Sequence, residues 1–511
     1  MQRSEFDVVV VGGGINGAGI ARDAAGRGLS VLLCEKDDLA RHTSSASTKL
    51  IHGGLRYLEY YEFGLVRKAL QEREVLLKAA PHIMWPLRFV MPHDSHLRPA
   101  WMIRAGLFLY DHLARREILP ASSAIRLPEH PAGLPLRGQF QRGFVYSDGW
   151  VQDARLVTLC ALDAHERGAV VQTRTRCSHA ERGSQHWQIS LEDSSGATRT
   201  VQARAMVNAA GPWVGDFLRD VAQVQSKRRV RLIKGSHIVV KKLYEHSYAY
   251  IFQNPDKRII FAIPYEEDFT LIGTTDIEYR GKAEQVAIDQ DEIDYLCQMA
   301  SRYFTQPITP TDVVWHYSGV RPLLDDESDD AAGVTRDYDL SLDTQGAALL
   351  SVFGGKITTF RKLAEEAGDR LQQLLAKGSG AWTERATLPG GDMPAADFAA
   401  FLANMRAMHP WLPERLSLRW AHSYGTRCAQ LLRGANSLAD FGTEVLPSLY
   451  AREIRYLVEQ EWAVSAEDIL WRRSKLGLHL PADSANRLDA WLADHVANTT
   501  EAKGSTRNAF N

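Results

Sequence analysis

The segment from Phe6 to Lys36, FDVVVVGGGINGAGIARDAAGRGLSVLLCEK, constrains the fold more than any other part of the chain. Val8 to Val11 form an unbroken apolar run, the pattern of a parallel strand covered on both faces. Gly12-x-Gly14-x-x-Gly17 follows at once, residues 15–27 read as a helix, and Ser30 to Cys34 read as a second apolar strand closed by Glu35. Each part has a physical reason. The glycines permit a tight turn, close approach of a pyrophosphate and tight packing of helix on strand. The helix N-terminus presents free N–H groups and the positive end of its dipole to phosphates. An acid about 20 residues past the glycines accepts from ribose hydroxyls. Gly12, Gly14, Gly17 and Glu35 are therefore expected to hold a dinucleotide.

The continuation decides which one. No further βα unit follows Glu35. Instead the chain reads RHTSSASTKLIHGGLRYLE, in which five of the six residues 43–48 are Ser or Thr. Hydroxyls and amides of Ser44, Ser45, Ser47, Thr48 and Lys49 suit a second stretch of phosphate and ribitol, so a flavin dinucleotide is expected rather than NAD. His52-Gly53-Gly54 is expected to lie along the flavin ring, where a Cβ would collide. His52 would stand on the flavin side, with Arg56 and Tyr57 toward a substrate pocket. Far along the chain, ARAMVNAAGPWV (203–214) reads as a short strand ending in small residues, so Ala210 and Gly211 are expected at the cofactor. AALLSVFGGKITTF (347–360) runs from an apolar strand into Gly354-Gly355, with a helix starting near Thr358. Its N–H groups suit the polar edge of the flavin, with Ile357 and Thr358 alongside. His42 precedes the Ser/Thr run without any further sign of a covalent tether, so FAD is expected to be non-covalent.

A length of 511 residues suggests roughly three domains at about 150 residues each. The FAD-binding part is expected to be discontinuous, from 1–80, 145–225 and 345–385. Residues 81–144 and 226–344 would form a substrate domain on an antiparallel sheet, including a hairpin turning at Glu266-Glu267-Asp268. Leu-, Ala-, Arg- and Trp-rich sequence with helical period suggests a helical C-terminal domain over 390–496, with 497–511 disordered. The expected class is thus α/β, a Rossmann-like domain with two additions. A net charge of −2 carries no basic excess for nucleic acid. The five scattered cysteines suit a reducing cytosol, and no metal site is expected. The first residues lack the apolar core of a secretory signal, and no stretch approaches the ~20 apolar residues of a spanning helix.

GGGINGAGIARDAAGRGLSVLLCEK, TSSASTKLIHGGLRYLE, YSDGWVQDARLV, RLIKGSHIVV, LIGTTDIEY, YSGVRPLLDDESDDAAGVTRDY and LLSVFGGKITTFRKLAE together resemble the FAD-dependent, aerobic-type glycerol-3-phosphate dehydrogenases. The resemblance runs from the first strand and thins after about residue 390. It implies oxidation of sn-glycerol 3-phosphate to dihydroxyacetone phosphate, with hydride passing from C2 to flavin N5 and electrons to ubiquinone. It also implies a homodimer in the cytoplasm, attached peripherally to the inner face of the cytoplasmic membrane. A phosphate monoester carries close to two charges at neutral pH and calls for several cations, arginine above all. Arg56, Arg321, Arg336 and Lys356 are candidates, and the resemblance makes Arg321 and Arg336 the substrate clamps. Thr359 could donate nearby. His52 and His237 are the candidate bases, while Lys356 suits the charge of the reduced flavin. Residues 98–116 place Trp101, Ala105, Phe108, Leu109 and His112 on one helical face among arginines, which suits an interfacial helix. Competing readings are an oxidase that makes hydrogen peroxide, an amine- or hydroxy-acid oxidase of the same fold, and a flavin-binding assembly protein without turnover.

Overall fold

The computed structural model describes residues 3–94, 97–325 and 337–502. Two sheets organise the molecule. The first is built on β1 (Glu5–Val11), α1 (Ile15–Gly26) and β2 (Val31–Cys34). Its order is Tyr338–Asp343, Ala348–Gly354, Thr198–Asn208, β1, β2, Val170–Gln172. Along that order all neighbours pair in parallel except the edge strand Tyr338–Asp343, and off it Trp187–Asp193 pairs antiparallel with both Thr198–Asn208 and Thr175–Arg182. Val8, Val9 and Val10 are fully buried, as an apolar run in a parallel sheet requires. Helices cover the strands from one side, with Ala18, Ala21 and Ala24 of α1 inside the same core as Leu363 and Ala367 of helix Phe360–Leu375.

The second sheet has ten strands and carries the substrate side. Val230–Lys241 pairs with Phe269–Gly273 and, over nearly its whole length, with Val313–Leu324. The expected hairpin is present, with Ile259–Tyr265 and Phe269–Gly273 antiparallel across the Glu266-Glu267-Asp268 turn. Three boundaries of the expected domain division differ. Leu50–Ile51, inside 1–80, pairs with Gly149–Trp150 of the second sheet. Residues 142–151 likewise belong to that sheet, whereas Tyr338–Asp343 belongs to the first. Strand pairing between distant segments moved them, and local pattern carries no trace of it. Thr198–Asn208 is also a long strand of 11 residues rather than a short one.

Helix α2 (Phe63–Ala79) packs beside the crossing between the sheets, and α3 (Ala100–His112) follows it. Only Leu107, Tyr110 and Asp111 of α3 are buried. Trp101 and Phe108 are 71% and 57% exposed, and Tyr61, in the loop beside them, is 79% exposed. Helix α4 (Asp153–Glu166) opens at the expected Asp153-Ala154-Arg155 and is buried over its first twelve residues. The C-terminal helices enclose a separate core around Trp420, Ile454, Leu457 and Ile469. Its last helix runs Ser484–Ala502, so residues 497–502 of the expected disordered tail are helical, while 503–511 lie outside the described residues.

Candidate active site

Two cavities meet where the sheets face each other. One, of about 370 Å³, is lined by Gly12, Gly14, Glu35, Ala210 and Gly211. The other, of about 260 Å³, is lined by Thr48, His52, Arg56, Tyr57, Arg321 and Lys356. Ile15, Thr43, Ser44, Pro322 and Gly355 belong to both, so one elongated ligand can run from the first into the second.

The first cavity is a phosphate cradle by construction. Gly14 caps α1 without any side-chain hydrogen bond, and no acid lies in the first turn. Gly12 has φ +111°, and a Cβ there would lie 2.5 Å from the Ala209 carbonyl oxygen. A Cβ on Gly17 would overlap the Gly12 carbonyl. Ile15 N–H donates to Ser44 Oγ at 3.0 Å, which brings the Ser/Thr run onto the helix N-terminus. Glu35 accepts from the N–H groups of Gly13 (2.6 Å) and Asp37 (2.8 Å). Burial raises its carboxyl above the usual range against the pull of those two bonds. His42 Nε2 lies 2.8 Å from Asp37 Oδ2, so that ring is already engaged.

At the seam stands Asn16, which the sequence reading missed. Its Nδ2 donates to the Gly354 carbonyl at 3.1 Å, while its Oδ1 is buried without a partner. Gly354 and Gly355 both have positive φ, and a Cβ on Gly355 would lie 2.9 Å from Asn16 Nδ2. A helix N-terminus that begins at a glycine, a buried acceptor at the seam and two small residues beside it fit a dinucleotide with a hydroxyl-bearing linker, which is the chemistry of FAD.

Three cations from distant segments converge on the second cavity. Arg321 donates to Asp276 Oδ1 and, at 3.2 Å, to Thr274 Oγ1. Lys356 Nζ lies 3.9 Å from the centroid of the Tyr57 ring. Arg56 makes no hydrogen bond or ion pair among the described residues. Arg336 lies outside the described residues. The His52 N–H donates to Thr358 Oγ1 at 3.2 Å, tying the His-Gly-Gly segment to the strand–Gly–Gly–helix unit. Tyr146, Asp148, Thr274 and Asp276 also line the cavity; they lie in the motifs YSDGWVQDARLV and LIGTTDIEY but are not among the expected site residues.

Several expected residues sit elsewhere. His237 is fully buried and lines neither cavity. Its Nε2 lies 3.0 Å from Thr48 Oγ1, its ring stacks on Tyr317, and its Nδ1 has no partner. Burial, reinforced by Arg321 and Lys49, holds it well below the ordinary histidine range. The strand register puts this side chain behind the wall, so it touches the site only through Thr48. Lys49 has φ +61° and turns away from the cofactor cleft, donating to both Asp153 oxygens at 2.9 and 3.0 Å. Ser47 also donates to Asp153, at 2.7 Å, and Ser45 points back to the His42 carbonyl outside both cavities. Gly53 does need to be small, but against Tyr110 and Leu70 rather than a flavin. Its N–H donates to Tyr110 Oη and to Asp148, which Arg73 holds at 2.6 Å. At Gly54, with φ +76°, the crowding atom is the Tyr57 ring. Thr359 is 1% exposed, precedes helix Phe360–Leu375 without a side-chain cap bond and does not line the substrate cavity.

Known proteins agree with this architecture. Residues 7–361 match the FAD dependent oxidoreductase family, and residues 381–502 match the C-terminal domain of alpha-glycerophosphate oxidase. A glycerol-3-phosphate dehydrogenase of Pseudomonas aeruginosa is 57% identical over 489 residues, covering 95% of each chain. A D-erythritol 1-phosphate dehydrogenase of Brucella abortus is 54% identical, over 93% of this chain and 95% of that one. The crystal structure of a glycerol-3-phosphate dehydrogenase from Bacillus halodurans, complexed with FAD, superposes with a TM-score of 0.77 at 28% identity, over 98% of this chain and 92% of that one. The glycine turn, the seam and the two-part fold thus have one reading: the chain belongs to the family of FAD-dependent oxidoreductases that carry the alpha-glycerophosphate oxidase C-terminal domain, and FAD is its cofactor.

Proposed function

We propose that the protein oxidises sn-glycerol 3-phosphate to dihydroxyacetone phosphate. The observation that carries this reading is the convergence of Arg56, Arg321 and Lys356 on one small cavity continuous with the dinucleotide cradle. A single carboxylate substrate would need one such cation, whereas a phosphate monoester rewards several. Bound FAD supplies a two-electron acceptor, with hydride from C2 going to N5. Arg321 exchanges Asp276 for phosphate oxygens, and Arg56 adds a second fork. Lys356, on the same cavity, would stabilise negative charge on the reduced cofactor. His52 lines the cavity and takes the hydroxyl proton. The His237 imidazole is a poorer base, because burial makes its protonated form unfavourable. Anaerobic bleaching of the flavin by sn-glycerol 3-phosphate tests the reading, and a flavin that stays oxidised sinks it.

One observation favours a second substrate. A relative 54% identical is named for D-erythritol 1-phosphate, which is one carbon longer. The same phosphate clamp would hold either alcohol. Comparing kcat/KM for the two decides between them.

For the electron acceptor we favour ubiquinone, reached at the membrane surface. Tyr60 lines the catalytic cavity and neighbours the exposed face of Tyr61, Phe63, Trp101 and Phe108. An aromatic surface ringed by arginines suits the lipid interface. No helix among the described residues is long and apolar enough to cross a membrane, so attachment would be peripheral. Stopped-flow reoxidation by a quinone analogue against air separates a dehydrogenase from an oxidase. A cytoplasmic, membrane-attached homodimer completes the proposal, with light scattering of the detergent-released protein as its check.

A further inference from the structure

A third cavity, of about 460 Å³, lies between the flavin-binding part and the C-terminal helices. It shares no lining residue with the catalytic cavity, yet the two are one residue apart: Thr48 lines the catalytic one and Lys49 the other. Trp150 and Tyr265 contribute its aromatic wall, while Arg155, Arg415, Arg419 and Lys475 bring cations to it.

Its lining residues carry four buried polar atoms without a partner: Trp150 Nε1, Tyr265 Oη, Arg155 Nε and Arg419 Nε. All four can donate, and only the tyrosine hydroxyl can also accept. Carboxylates already hold the outer nitrogens of the two arginines, Glu461 for Arg155 and Glu453 for Arg419, so their Nε–H groups are what is left over. Lys475 donates to the Trp471 carbonyl and has no ion pair among the described residues. Burial first, then the Lys49 ammonium, pushes its own ammonium down to about 7 against the pull of Asp153 and Glu266. Burial also raises the Glu266 carboxyl, against the pull of Lys475 and Lys49. Unpartnered buried donors beside Lys49 and Lys475, on a wall that also holds Asp153, Glu266 and Glu267, call for a ligand that brings acceptors.

We propose that this interdomain cavity is a second ligand site, taking a small phosphate-type oxyanion, free or as a monoester, and coupled to the flavin through Lys49. The coupling route is short. Asp153 binds Lys49 on one side and Ser47 on the other, and Ser47 lines the catalytic cavity. Lys49 also holds a left-handed backbone conformation that its ion pair helps to maintain. An anion that draws on Lys49 therefore shifts the wall facing the flavin. The proposal stands whichever phosphorylated alcohol the catalytic cavity oxidises.

The test is equilibrium dialysis of the FAD-loaded enzyme against labelled inorganic phosphate, with a parallel series in phosphoserine and the flavin absorbance recorded throughout. Two phosphates per FAD are expected. Arg321→Ala should remove one, whereas Lys475→Gln should weaken the other about tenfold or more, the loss of one charge-assisted bond. Arg415→Ala, at an exposed position, should weaken the same event and serves if Lys475→Gln does not fold. Tighter second-site binding of phosphoserine identifies an esterified ligand, and weaker binding identifies free phosphate. A single phosphate per FAD, or a second one indifferent to both Lys475→Gln and Arg415→Ala, overturns the proposal.

Discussion

Arg321 reaches the catalytic cavity with a carboxylate already on its guanidinium, and that fact sets what its removal should do. The Asp276 pair and the Thr274 hydroxyl fix the fork in place at a partly exposed position. A phosphate must displace Asp276, so the net gain is the difference between two charge-assisted interactions. Arg321→Ala should still raise KM about 10- to 100-fold, with the oxidised flavin spectrum unchanged. An unaltered KM in a folded, flavin-loaded variant would refute the clamp. The two histidines separate in the same way. His52→Ala should lower kcat by about 10²-fold or more with little change in KM, as for a lost general base. His237→Ala, behind the Thr48 wall, should act mainly on stability and positioning, since it leaves Gly273 facing a hole where the imidazole ring packed. If His237→Ala costs more kcat than His52→Ala, the roles assigned to them are reversed.

At the scale of elements, the sequence was legible wherever one element carried its own reason. The β1–α1–β2 unit, the Gly354-Gly355 turn and the 259–273 hairpin each combine an apolar period with a local turn signal, and each formed where expected. What stayed illegible was set by pairing across long separations. Asp148, on strand Arg142–Val151, and Thr274 and Asp276, in the link after Phe269–Gly273, stand with three strands between them in the second sheet and meet only at the cavity, while the pairing of Val230–Lys241 carries His237 out of it. Gly53 shows the limit well: the need for a small residue was readable, but its cause, Tyr110 on α3, lies 57 positions away. Helix α3 also bears the next prediction. Its sequence period pointed to an amphipathic helix, and its apolar residues Trp101 and Phe108 are the ones left outside. Burying each such ring in lipid is worth about 2 kcal/mol. Trp101→Glu with Phe108→Glu should therefore lower vesicle binding well over tenfold in a flotation assay, with turnover of a soluble dye acceptor preserved. Vesicle binding equal to that of the unaltered protein would remove α3 from the membrane surface.

Across the whole molecule, the C-terminal helices are seated on the flavin-binding part by buried charge, and this makes the seam sensitive to acid. His82 is fully buried with neither ring nitrogen bonded, and His422 Nδ1, on the facing helix, donates to its carbonyl at 2.6 Å. Burial lowers both, His82 well below the ordinary range and His422 to about 4. A lowered histidine takes up its proton more readily unfolded, so stability is full above about 6.5 and declines as the pH falls toward 4. Melting curves should show that decline, and a flat profile over the same range would contradict it. The stronger bond of the seam is at Asp38, three residues past Glu35 and 1% exposed. Its oxygens accept from Arg472 Nε at 2.6 Å and from both outer nitrogens of Arg473 at 2.7 Å. Removing the acid takes the shared carboxylate from two buried guanidinium groups, leaving Arg472 with Asp468 and Glu467 and Arg473 with the Glu461 carbonyl, and breaking a buried pair typically costs about 3–5 kcal/mol. Because Asp38 follows the strand that ends at Glu35, the loosening should reach the nucleotide. Asp38→Ala should thus lower the melting midpoint by several degrees and release FAD earlier in the same scan. Replacing Asp38, Arg472 and Arg473 together by apolar residues should restore much of the midpoint, since no buried charge is then left alone. If the single substitution leaves both the midpoint and FAD release unchanged, the C-terminal helices are held by apolar packing and the ion cluster is incidental.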